Sequence, residues 1–95
     1  MVEIKFNYTG ELRCESIHAP SSSKLITDAP FDNHGKGEAF SPTDLVATAL
    51  ATCVITTMAI AAKKHGISLD GSTGTIQKTM STTPPRRIAR LVTVI

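Results

Sequence analysis

The chain has 95 residues, ten basic against eight acidic, for a formal charge of +2. A single domain of that length buries only about 60–65% of the surface its unfolded chain exposes, and interspersed charges near neutrality give no electrostatic case for nucleic acid. The start, MVEIKFNYTG, lacks the basic-then-apolar layout of a signal peptide, so a cytoplasmic location is expected, where the two cysteines stay reduced unless they are catalytic.

Val2, Ile4, Phe6 and Tyr8 alternate with Glu3, Lys5 and Asn7, the period-two signature of a strand. Thr9-Gly10 reads as a turn, and residues 11–18 continue as a second strand with Leu12, Cys14, Ser16 and His18 on one face and Glu11, Arg13, Glu15 and Ile17 on the other. After the connection APSSS, residues 24–28 form a short third strand, which completes an antiparallel meander. Residues 29–40, APFDNHGKGEAF, lose all periodicity and read as a loop that delivers His34, Lys36 and Glu38 to the entrance of the next element. Its GKG lacks the longer glycine spacing and the closing Lys-Ser/Thr of a phosphate-binding loop.

Residues 41–66 hold the longest element. Ser41, Pro42 and Asp44 open a helix by capping, by suiting its first turn and by answering the dipole, while Lys63, Lys64, His65 and Gly66 close it. Between them, residues 45–62 carry no charge. Leu50, Val54, Met58 and Ala61 take one side and Val46, Ala49, Cys53 and Ile60 another, so most of the circumference calls for burial. A run of about 18 residues is at the lower limit for spanning a bilayer. The Ala/Thr composition, the missing aromatic belt and the caps of a soluble helix favour a buried core helix over a membrane span. Covering such a helix asks for more sheet than a chain this short owns, and oligomerisation is the usual remedy.

After Gly66 come a strand at 73–81, in which Ile76, Lys78 and Met80 alternate with Thr75, Gln77 and Thr79, a turn at 82–87 around Pro84-Pro85, and a final strand at 88–95 that ends on LVTVI. Such an apolar edge is expected to be continued by further chain or covered by another chain. The predicted class is α+β: a strand meander, a long buried central helix and further strands, as one domain over 1–95 that is incomplete at its C-terminus.

Cys53 is the sharpest chemical candidate, although a free cysteine often serves as a small hydrophobe. It lies too far along the helix for the dipole to acidify it, so activation needs a cation from elsewhere: Arg13, His34 or Lys36, with Glu38 as the orienting carboxylate. Strand parity counts against Arg13, which points away from the face carrying Cys14. The three histidines share no ligand spacing with each other or with the cysteines, so neither a metal nor a cofactor is called for.

The segment GKGEAFSPTDLVATALATCVITTMAIAAKKHGI resembles the OsmC/Ohr family of thiol peroxidases that reduce organic hydroperoxides. There a proline opens the central helix and the reactive cysteine follows eleven positions later, as Pro42 and Cys53 do here, after a three-strand meander. The resemblance covers about the first two-thirds of a family domain. It implies an intertwined homodimer, Cys53 as peroxidatic thiolate, Arg13 and Glu38 as its catalytic partners, a second cysteine closing a disulfide, and a dithiol such as a lipoylated protein as reductant. The family commonly has Glu directly after the helix-opening proline to hold its arginine, where this chain has Thr43; the resolving cysteine has no counterpart unless Cys14 serves. The rival reading is a non-enzymatic dimeric domain that binds a small apolar ligand, with Cys53 structural.

Overall fold

The alternation near the start becomes β1 (Ile4–Gly10) in the computed structural model, which describes residues Met1–Ile95. β2 (Arg13–His18) returns antiparallel to it, with Ile4 opposite His18 and Tyr8 opposite Cys14. The reversal sits later than the composition suggests. Instead of turning at Thr9-Gly10, the chain turns at Glu11-Leu12, whose φ values of 54° and 61° are both positive. Two left-handed residues in succession make the hairpin turn whose twist matches that of the strands. Gly10, at φ 98°, absorbs the register irregularity between Tyr8 and Gly10.

β3 (Ser23–Asp28) pairs with β2 from His18 opposite Ser23 to Arg13 opposite Asp28, giving one sheet in the order β1-β2-β3. Directly opposed residues share a face. Arg13 and Glu15 therefore lie with Asp28 and Ile26, and Cys14 and Ser16 with Tyr8, Phe6 and Leu25. The following loop holds a short 3-10 turn, Phe31–Asn33, and is folded tightly on itself. A Cβ at Gly35 would collide with the Ala29 carbonyl, and one at Gly37, where φ is +60°, would stand 2.6 Å from the Phe31 ring. These approaches are what the GKG sequence provides for.

The chain divides into two units, Met1–Thr43 and Asp44–Ile95. The second is built on α1 (Pro42–Lys63), of which all but the first two residues belong to it. Gly66, at φ 69°, takes the left-handed position after the helix. Its N–H reaches the Lys63 carbonyl at 3.1 Å and the Ile67 N–H reaches that of Ala62 at 3.0 Å, the paired bonds of a Schellman cap. β4 (Thr75–Met80) and β5 (Ile88–Val94) then form an antiparallel hairpin, Thr75 opposite Val94. Along β4, Ile76, Lys78 and Met80 are half-buried while Thr75, Gln77 and Thr79 are exposed, the alternation the sequence predicts. Lys78 belongs to the covered row because its Nζ meets Asp44 Oδ1, in the first turn of α1, at 2.8 Å.

The architecture is α+β, a strand meander, one long helix and further strands. The helix differs from expectation in its cover. Ala47 is the one buried residue of α1, while Val46, Leu50, Met58 and Ile60 are 44–58% exposed. By length and composition alone α1 is apolar enough to cross a membrane. Sheets of three and two strands give the chain by itself too little surface to sheathe a helix that is apolar nearly all round.

Candidate functional site

Register brings the chemistry of the first unit together. Arg13 opens β2 and Asp28 ends β3, directly across from it, so their side chains leave the same face at the same end of the sheet. Arg13 Nε donates to Asp28 Oδ1 at 2.6 Å and Nη2 to Oδ2 at 2.8 Å, the two-pronged geometry that suits guanidinium to carboxylate. Nη2 also donates to Glu38 Oε1 at 3.0 Å, and the Glu38 backbone N–H donates to Asp28 Oδ2 at 3.2 Å. Exposure is graded across the three: the Asp28 side chain is fully buried, Arg13 is 29% exposed and Glu38 is 65% exposed.

A buried carboxylate is tolerated only when it is paired and hydrogen-bonded, as Asp28 is. The Arg13 hydrogen bonds hold its carboxyl below the usual aspartate range against the opposing effect of burial. Asp28 in turn raises Arg13 above its ordinary value. The sign of the pH effect follows: because the folded value is depressed, the stabilisation is complete above about pH 4, the ordinary aspartate value. It is lost as pH falls through the lower folded value. Acid titration followed by circular dichroism is expected to show this loss, and Asp28→Asn is expected to flatten the slope in that window. An unchanged slope would show that the pair does not govern acid stability.

Lys36, one of the cations that could have served the thiol, is engaged elsewhere. Its Nζ lies 2.6 Å from Glu11 Oε2, and it lowers the Glu11 carboxyl by that hydrogen bond. His34 takes a left-handed conformation at φ 65°, ending the 3-10 turn with its N–H on the Phe31 carbonyl. Of the loop residues singled out from sequence, Glu38 alone meets Arg13. The parity objection to Arg13 fails, because its face of the sheet holds a buried partner.

Asp28 was missed in the sequence, where it reads only as a strand end. The signal was arithmetic: once residues 19–22 are the connection, pairing back from His18 and Ser23 sets residue 28 opposite residue 13. Asp44 was read only as a residue that opens the helix, and its partner Lys78 only as one of an alternating row.

Cys53 belongs to the second unit, on the exposed surface of α1, with Sγ 4.0 Å from Thr57 Oγ1 one turn on. Cys14, on β2, is half-buried, and both thiols are free. The structure thus joins Arg13 to Glu38 in one unit and carries Cys53 in the other. The second unit also contains a cavity of about 260 Å³ lined by Thr48, Thr52, Ile55, Ile76 and Thr93 among others. At about 100° per residue, Cys53 lies well round the helix from Thr48, Thr52 and Ile55.

Residues 35–94 match the family of OsmC-like proteins. Among solved structures, the chain is similar to a protein from Psychrobacter arcticus 273-4 proposed to be an osmotic stress induced and detoxification response protein. The two are 46% identical with a TM-score of 0.92, over 98% of this chain and 67% of the other. No curated protein matches.

Proposed function

The chain belongs to the family of OsmC-like proteins, and on that premise we propose that it is a stress and detoxification protein acting as a thiol peroxidase on organic hydroperoxides. One observation carries the reading: a free, exposed thiol, Cys53, stands in the matched segment eleven positions after the helix-opening Pro42.

In the proposed reaction the Cys53 thiolate attacks the distal peroxide oxygen. An S–O bond forms, the O–O bond breaks, and the alkoxide takes a proton to leave as the alcohol, so sulfur is oxidised to a sulfenic acid as the peroxide is reduced. A second thiol condenses with the sulfenic acid, releasing water and closing a disulfide, which a dithiol such as a lipoylated protein reduces. Arg13 is assigned to donate to the peroxide oxygens and to stabilise charge as the bond breaks, with Glu38 as its partner. Asp28 and Glu38 already supply carboxylates to that guanidinium, so the Thr43 that follows the proline does not leave Arg13 unheld. The exposed apolar surface of α1 supports a homodimer in which a second copy covers it. A cytoplasmic location belongs to the same reading.

A brief pulse of cumene hydroperoxide with dimedone trapping tests this. Mass spectrometry is expected to find the adduct on Cys53 ahead of Cys14; equal labelling, or none at Cys53, refutes the proposal. The apolar-ligand reading draws support from the cavity beside Thr48 and Thr52. It predicts that Cys53 is alkylated at neutral pH no faster than a free thiol, where the peroxidase reading predicts a faster reaction.

A further inference from the structure

Arg13 is held from one edge. Its Nε and Nη2 are taken by Asp28 and Glu38, whereas no hydrogen bond of the chain uses Nη1. The two partners are unequal. Glu38 is 65% exposed and makes a single contact to the guanidinium, while Asp28 is fully buried and makes two. Asp28 is also tied into the backbone around it. Its carboxylate accepts the Glu38 N–H at 3.2 Å, and its own N–H donates to the Phe40 carbonyl at 3.1 Å. One residue therefore joins β2, through the Arg13 side chain, to β3 and to the loop that carries Glu38.

We propose that Asp28 is the positioning residue of Arg13: it fixes the Nε–Nη2 edge so that Nη1 is presented as a donor to an uncharged oxygen acceptor, here the hydroperoxide. The assignment rests on the thiol peroxidase reading. An uncharged acceptor is specified because the guanidinium already faces two carboxylates, and a third anion beside them would meet repulsion. A guanidinium has five N–H donors in a rigid fork, so fixing one edge fixes the direction of the rest.

The first measurement needs no activity. In the wild-type chain the Arg13 Nε–H, identified by its disappearance in Arg13→Lys, is expected to exchange with solvent more slowly than those of Arg87 and Arg90. It is expected to lose that protection in Asp28→Asn and to keep it in Glu38→Gln. An Nε–H as fast as the others in the wild type, or one unaffected by Asp28→Asn, overturns the proposal, and the wild-type comparison stands even where the variant does not fold. The second measurement is the rate at which cumene hydroperoxide oxidises Cys53. Asp28→Asn is expected to lower it about tenfold to a hundredfold, the usual cost of a misplaced group. In an Arg13→Ala background the same substitution is expected to change the rate by no more than about twofold, since a residue acting only through Arg13 has nothing left to position. Equal losses in both backgrounds would overturn the role. Should wild-type Cys53 not react with peroxide at all, the peroxidase reading falls, and the Nε–H comparison still decides whether Asp28 holds Arg13.

Discussion

With Cys53 replaced by serine, consumption of cumene hydroperoxide is expected to fall about 10³-fold or more, in the range seen when a nucleophile is removed. The reason is chemical. Sulfur can accept the transferred oxygen and become a sulfenic acid, a step closed to a serine hydroxyl, which is also far from ionised at neutral pH. Cys14→Ser should behave differently in a single-turnover experiment, because Cys14 is half-buried and lies on the sheet face opposite to Arg13. It should keep the first equivalent of peroxide consumed per chain. If Cys14 resolves the sulfenic acid, the variant accumulates that species where the wild type goes on to a disulfide. If Cys14→Ser abolishes the first turnover and Cys53→Ser does not, the reactive sulfur has been misassigned.

How much of this was legible beforehand depended on whether a feature was local. The ends of α1 could be read because Pro42, Asp44 and Gly66 act within a turn of themselves, and Gly66 does close a Schellman cap. The half-buried row of Ile76, Lys78 and Met80 followed from period-two alternation for the same reason. The first hairpin was misplaced because its turn uses Glu11 and Leu12 at positive φ, residues that composition does not mark for it. Within the candidate site, Arg13 and Glu38 were visible as a lone early arginine and a loop carboxylate. Asp28 was not, since its role exists only once β2 and β3 are in register. Lys78 and Asp44, 34 positions apart by subtraction of their numbers, were hidden by the same dependence on tertiary pairing.

If a second copy covers α1 as proposed, Leu50→Glu is expected to give a chain that sediments with the mass of a single copy and has lost much of its helical circular dichroism. Both effects come from the state of α1. Val46, Leu50, Val54, Met58 and Ile60 are 37–58% exposed in the single chain. Completing the burial of five such half-covered side chains at about 1.5–3 kcal/mol for each full burial is worth on the order of 5 kcal/mol. At about 1.4 kcal/mol per decade, that amounts to three to four decades in a dissociation constant. A glutamate at position 50 removes one of those side chains and sets a carboxylate with no partner on the covered surface, where an unpaired charge costs several kcal/mol more. The helix then loses its support, because most helical stability in proteins comes from packing of an apolar face. Glu at Lys64, an exposed position beyond the last turn of α1, should leave the mass unchanged. A wild-type chain that sediments as a single copy with full helicity, and a Leu50→Glu variant indistinguishable from it, would show that α1 needs no second chain, and the homodimer would have to be abandoned.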